Sequence, residues 1–187
     1  MDVSAGVWIF AYGSLMWRPG FGYLEAAPAR LQGYHRSLCV YSWVHRGTRE
    51  APGVVLGLDR GGSCRGWAFR ISAEQETEIL QYLDGRELVT DVYRRKRLPV
   101  TIRARRLLAW SYVVRREHPQ YAGQLAPDRL LELVRRGVGR SGRCRDYLVS
   151  TVGHLESMGI VDGPLHTLAN ALIDDGMEAA GPGPAAV

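Results

Sequence analysis

Apolar and polar positions follow different rhythms along this chain, and each rhythm predicts a different element. "VWIFAY" (residues 7–12) is a short, unbroken, β-branched and aromatic run, the pattern of a buried strand. It breaks into Gly13-Ser14 and then continues with three large apolar residues, Leu15, Met16 and Trp17. Residues 31–43 have strand character, with Gly33 at a bulge position. "VVLGLD" (54–59) and "CRGWAFRI" (64–71) read as two strands, and Arg60-Gly61-Gly62 between them as a hairpin turn. "YRRKRLPVTI" (93–102) and "LLAWSYVV" (107–114) predict two more strands, with Pro99 marking an edge or a bend.

The helical period enters at residue 72. Ser72 with Gln75 three positions on is a capping-box signature, Ile79, Leu80 and Leu83 share one face, and Gly85 is placed to end the helix. After "HPQYAG" (118–123) the pattern turns helical. Pro127 suits a first helical turn ahead of Leu130, Leu131, Leu133 and Val134. A second helix is expected over 146–158 and a third after Asp162-Gly163-Pro164. "AAGPGPAAV" (179–187) is low in complexity and is expected to be a disordered tail. Strands grouped apart from helices predict an α+β fold with a mostly antiparallel sheet or small barrel, as one domain over 1–178.

Composition narrows the function classes more than it selects one. Apolar residues make up 46% and charged residues 23%, ordinary for a soluble globular chain, and no apolar run reaches membrane-spanning length. With no basic, apolar leader at the start, a cytoplasmic protein is expected. The net charge is +5, and Lys96 is the only lysine among the 24 basic residues. Six arginines and Lys96 crowd residues 94–106, with Arg103 and Arg105 expected to alternate along a solvated strand face. No RNA- or DNA-binding motif accompanies them, so no nucleic-acid partner is expected. Cys39, Cys64 and Cys144 are too scattered for a disulfide framework or zinc pattern. His45 and His118 fall in loops and His154 and His166 in helices, without metal-ligand spacing, and no nucleotide-binding loop occurs. No metal or organic cofactor is expected.

Three short stretches carry candidate chemistry. In the first, Gly13 permits a backbone conformation or a close approach that a Cβ would block, Ser14 adds a hydroxyl, and turn N–H groups can bind an anion. In "QYLDGRELVT" (81–90), Asp84, Arg86 and Glu87 are expected just past an amphipathic helix, where the negative helix end and burial raise a carboxyl pKa towards that of a general base. A solvated helix end with an Arg-Glu pair fits the same residues. In "SGRCRDYL" (141–148), Ser141-Gly142 reads as a helix start, with Tyr147 on the helix as either a core residue or a ligand contact.

The order of "YGSLMW", "YLDGRE" and "SGRCRDYL", with "HRGTREAPGVVLGLD", "CRGWAF" and "YAGQLAP" between them, resembles the ChaC-like γ-glutamylcyclotransferases over about residues 7–150. The resemblance implies a small, mostly antiparallel β-barrel-like core with flanking helices. It also implies an enzyme acting on a small γ-glutamyl compound, glutathione in the ChaC branch, releasing 5-oxoproline and cysteinylglycine without a cofactor. It assigns the γ-glutamyl cradle to Tyr12, Gly13, Ser14 and Leu15, the catalytic carboxyl to Glu87 and a substrate contact to Tyr147. Other γ-glutamyl amines as substrates, or a silent γ-glutamyl-binding protein, are the alternatives. Arg36, Arg46 and Arg86 are candidates for the substrate carboxylates. Ala11 stands where the family often has glycine, and Leu88-Val89-Thr90 where many members carry a glycine-containing run. Both departures bear on substrate preference.

Overall fold

A computed structural model describes residues 6–178. In chain order the elements are β1 (Val7–Ala11), a 3-10 turn (Ser14–Met16), β2 (Glu25–Ser42), β3 (Gly53–Ile71), a second 3-10 turn (Ala73–Gln75), α1 (Glu76–Glu87), β4 (Tyr93–Ile102), β5 (Arg105–Val114), α2 (Pro127–Arg136), β6 (Val138–Gly139), β7 (Gly142–Arg143), α3 (Cys144–Ser157) and α4 (Gly163–Glu178). The tail at 179–187 lies outside the described residues. The chain divides into two compact units. One comprises the described residues up to Tyr41 together with Val55–Gln124, and the other Ser42–Val54 together with the residues from Leu125 onward.

The first unit is an α+β barrel, as the residue pattern predicts. Five strands close in the order β1-β3-β2-β4-β5. β1 runs antiparallel to β3 (Val7↔Ile71 to Ala11↔Trp67), and closure comes from a short parallel pairing of β1 with β5 (Trp8↔Ala109, Ile9↔Trp110). Trp8, Ile9, Phe10 and Ala11 are all buried, which explains why β1 is apolar on both faces instead of alternating. Leu98, Val100 and Ile102 of β4 share a buried face with Ala109 and Val113 of β5. Burying each large side chain contributes about 1.5–3 kcal/mol. Gly66 is required by packing, since a Cβ there would lie 2.2 Å from the Ala11 carbonyl oxygen.

Several local expectations are corrected. Gly61 and Gly62 do not reverse the chain; β3 is one 19-residue strand. Cys39 lies against Gly57, the His35 ring meets the Gly61 carbonyl and Arg30 reaches Ser63, so β3 stays beside β2 on both sides of the glycine pair. Their φ values, 100° and 65°, lie in the left-handed region without ending the strand. The real two-residue hairpin is Arg103-Ala104, at φ 47° and 65°, so Arg103 is a turn residue and not a strand neighbour of Arg105. The ten-pair ladder of β4 and β5 imposes that turn on side chains that disfavour it. Pro99 falls just before the β4 residues that pair with β2, Val100–Ile102.

Ser72 does not form a capping box. Its hydroxyl donates to Glu74, and the chain enters α1 through a 3-10 turn. Gly85 does not stop α1; it lies inside the helix, which runs on through Glu87. Propensity against glycine is worth only about 1 kcal/mol, and α1 is pinned at both ends. Trp110 Nε1 donates to Glu76 at 2.8 Å, and Asp84 accepts from Arg95 and from the Tyr112 hydroxyl, each at 2.7 Å.

In the second unit, Pro127 opens α2 as expected. Ser141-Gly142 does not start a helix. Gly142, at φ 98°, belongs to the small β6–β7 hairpin, and α3 begins at Cys144. Residues 45–53 pack on that hairpin so closely that a Cβ on Gly139 would lie 2.5 Å from the Gly47 nitrogen.

Candidate active site

β1 delivers the chain into the Gly13-Ser14 turn. Met16 N–H donates to the Gly13 carbonyl, the bond of the 3-10 turn, and Arg18 N–H closes a wider loop onto the Ser14 carbonyl, both at 2.9 Å. That winding explains the flanking apolar residues: Leu15 and Met16 are buried and anchor the turn, while Gly13 and Ser14 remain partly open. Gly13 has φ −135°, so a left-handed conformation is not why glycine stands there. A Cβ at 13 would meet only Leu56 Cδ1, at 3.6 Å. The fold has room for a side chain at 13. Ser14 and Leu15 N–H groups precede the first hydrogen bond of the turn and have no acceptor within it.

Two arginines brace this turn. Arg36 of β2 is buried; its Nε donates to the Tyr12 carbonyl at 2.5 Å and its Nη2 to the Arg65 carbonyl at 2.7 Å. Arg86 of α1 donates from Nη2 to Ser14 Oγ at 2.9 Å and from Nη1 to the Arg18 carbonyl at 2.7 Å. The same guanidinium pairs through Nε with Glu87 Oε1 at 3.2 Å. Residues 72 positions apart are thereby joined: turn, arginine and carboxylate form one assembly. The residue pattern left open whether these arginines reach substrate carboxylates; in the structure both donate to protein acceptors. Nothing in the residue pattern distinguished the two uses, because both need the same guanidinium fork.

Glu87 occupies the last position of α1, not a place beyond it. Burial pushes its carboxyl above the usual carboxylate range, and the Arg86 guanidinium pulls partly the other way. Asp84, one turn earlier, is held by Arg95 and Tyr112, and the buried Tyr112 hydroxyl is pushed well above the usual tyrosine range by burial first and by Asp84 second.

All three cysteines are free and buried; burial, reinforced by Asp59, pushes Cys39 up to about 12. Burial also raises Cys144, whose thiol donates to the Val54 carbonyl at 3.1 Å. Among the described residues, no group of three or more His, Cys, Asp or Glu is arranged to hold a metal ion, and no helix is long and apolar enough to cross a membrane.

Tyr147 lies on α3 in the second unit, half-buried, with the Arg46 guanidinium 5.2 Å above its ring. Arg46 Nη1 also donates to the Ser141 carbonyl at 2.5 Å, and the His45 ring pairs with Ser141 Oγ at 2.9 Å. Burial, with the charges of Arg140 and Arg46, lowers the His45 pKa. The late motif is thus tied to the loop at 45–53. Tyr12, Gly13, Ser14, Leu15 and Glu87 belong to the first unit and Tyr147 to the second.

The chain matches the family described as ChaC-like protein over residues 7–174. It is 32% identical over 167 residues to the glutathione-specific γ-glutamylcyclotransferase of Escherichia coli, spanning 87% of this chain and 71% of that protein. It is also 32% identical over 158 residues to the glutathione-specific γ-glutamylcyclotransferase 1 of Mus musculus, covering 82% and 71%. In fold it is similar to the crystal structure of a γ-glutamyl cyclotransferase specific to glutathione from yeast, with a TM-score of 0.82 at 22% identity over 90% of this chain and 96% of that one. The motif order and the barrel built around them have their explanation in common descent: the chain belongs to the ChaC-like protein family.

Proposed function

We propose that this protein is a glutathione-specific γ-glutamylcyclotransferase, releasing 5-oxoproline and cysteinylglycine. The activities named for the E. coli and mouse relatives support the reaction and substrate. The observation that carries the residue assignment is the joining of Glu87, a carboxyl raised by burial, to the Ser14 turn through one guanidinium.

The chemistry is an internal displacement. The α-amine of the γ-glutamyl group attacks its own γ-carbonyl, a C–N bond forms in a five-membered lactam, and the amide C–N bond to cysteine breaks. The nucleophile is part of the substrate, so the protein must hold it folded and move protons. The ammonium starts with three protons. One stays on the lactam nitrogen and two finish on the departing amine. Glu87, ionised, takes a proton from the ammonium and, once protonated, gives it to the leaving nitrogen; a second passage of the same kind completes the balance. A raised pKa brings the carboxylate closer in basicity to the amine it must deprotonate. The N–H groups of Ser14 and Leu15 and the Ser14 hydroxyl meet the charge that develops on the γ-carbonyl oxygen. Tyr12 and Gly13 complete the cradle, and Tyr147 is assigned as a substrate contact on its place in the late motif.

We read residues 1–178 as one functional domain, because the family match runs from 7 to 174 without interruption. A cytoplasmic setting is proposed with it, in keeping with three free, buried thiols. Incubation with glutathione should yield 5-oxoproline and cysteinylglycine in equal amounts. Turnover of γ-glutamyl-alanine without turnover of glutathione would move the assignment to other γ-glutamyl amines. Tight binding of either without turnover would make the protein a silent γ-glutamyl binder.

A further inference from the structure

We propose that Arg86 is the positioning residue of this site: its one guanidinium fixes the Glu87 carboxylate and the Ser14 turn in a single geometry, and turns the Ser14 hydroxyl into a donor. The inference rests on the cyclotransferase reading for its consequence, but its geometry stands apart from that reading.

Three directions of the guanidinium are used at once. Nε faces Glu87 Oε1 at 3.2 Å, Nη2 donates to Ser14 Oγ at 2.9 Å, and Nη1 donates to the Arg18 carbonyl at 2.7 Å, with the Tyr82 hydroxyl at 3.5 Å. A planar fork with donors in fixed directions can satisfy acceptors on two separate segments together; a lysine ammonium on a flexible stem cannot hold that relation. The turn is thus clasped at Ser14 and at Arg18, with the residues between them carrying the anchoring side chains.

The contact with Ser14 decides how that hydroxyl works. Its oxygen accepts from a cationic donor, so its own hydrogen is free to be donated elsewhere. A substrate carbonyl or carboxylate oxygen is the acceptor that a γ-glutamyl group supplies. Without Arg86 the hydroxyl rotates freely and serves as acceptor as readily as donor.

The contact with Glu87 decides when that carboxyl is ionised. Arg86 is the charged group that acts on Glu87 among the described residues. Asp84, on the same helix, is engaged by Arg95 of β4 and Tyr112 of β5. The turn segment presents the Ser14 hydroxyl and the Arg18 carbonyl to Arg86. Removing the guanidinium leaves burial unopposed, so Glu87 holds its proton to higher pH.

The test uses the full chain and two readouts. In the first, the Glu87 carboxyl is titrated by NMR with carbon-13 in the glutamate carboxyls, its signal identified by its loss in Glu87→Gln; no turnover is needed. Arg86→Gln should titrate at higher pH than wild type, while Arg97→Gln, an exposed arginine stacked on Trp110, should not move it. In the second, kcat/KM for glutathione is followed against pH. Arg86→Gln should lose on the order of 10²-fold at neutral pH, with its acid limb displaced upward. Arg86→Lys keeps the charge but not the fork. It should keep the acid limb near wild type while kcat/KM falls about tenfold. A folded Arg86→Gln with an unmoved Glu87 titration and wild-type kcat/KM would overturn the proposal. If Arg86→Gln fails to fold, Arg86→Lys carries the test, and wild-type kcat/KM in that variant would overturn the positioning role. Absence of wild-type turnover would sink the functional reading, while the Glu87 titration would still decide the role of Arg86.

Discussion

Two carboxylates three residues apart on α1 have opposite surroundings. Asp84 accepts a hydrogen bond at each oxygen, one from Arg95 and one from Tyr112, and through them ties the helix to β4 and β5. Glu87 has one cation, at the longer distance of 3.2 Å, and a half-buried setting whose desolvation opposes its charge. The difference teaches how one helix turn serves both architecture and chemistry. A carboxylate with both oxygens engaged is held and holds others. One kept short of partners and water retains the basicity a proton transfer requires.

The comparison can be broken most sharply at Glu87. Glu87→Gln keeps the shape and removes the titratable carboxyl, so kcat for glutathione should fall about 10²–10⁴-fold while the cooperative thermal melt is retained. Near-normal turnover in that variant would place the base elsewhere. The next largest effect is expected at Gly13→Ala. The added methyl has ordinary contact distance to Leu56, so the fold should hold. The methyl would stand where the ligand comes in, so KM should rise about tenfold or more, measured by initial rates beside a melting curve. A melting temperature lowered with KM unchanged would reverse that reading. Asp84→Asn should show the opposite signature to Glu87: a loss of about 1–2 kcal/mol in urea unfolding, discounted because the Arg95 pair is about a third exposed.

The smallest effect sharpens the comparison through pH. A carboxyl whose folded pKa is raised stabilises the fold relative to an ordinary one below its unfolded pKa, and that stability is lost as pH rises through the folded pKa. Glu87→Gln should therefore be the more stable protein at neutral pH, and its advantage should shrink as pH falls. For the wild-type rate the sign is the reverse, because the base must be ionised. Activity should fall on the acid side at a pH above the ordinary carboxylate range.

Local pattern was a good guide to the barrel and a poor one to its exceptions. The unbroken apolar run at 7–12, the strands at 93–102 and 107–114 and the Pro127 helix start were all legible, because each reflects burial or a backbone restriction in its own residues. The Gly61-Gly62 pair was read as a reversal because a bulge and a hairpin turn call for the same positive φ; what separates them is the partner strand, invisible locally. Arg103-Ala104 was missed for the converse reason. A ten-pair ladder can impose a turn that the residues themselves disfavour. Gly85 misled because pinning of the helix by Glu76 and Asp84 outweighs one glycine. At the site, the motifs pointed to Ser14 and Glu87, but only the folded chain revealed that Arg86 joins them, since no periodicity links Ser14 to Arg86, 72 positions on.

The parallel pairing of β1 with β5 has a consequence for the order of assembly. β1 emerges from the ribosome ahead of β5 and leads into the turn, yet the strand that closes the barrel beside it ends at residue 114. Contacts of such wide sequence separation form late and slowly, after loop closure over about a hundred residues. A nascent chain therefore cannot hold a finished site while its later strands are still being made, and truncation ahead of β5 should leave no residual turnover. Catalytic competence becomes a checkpoint on barrel closure.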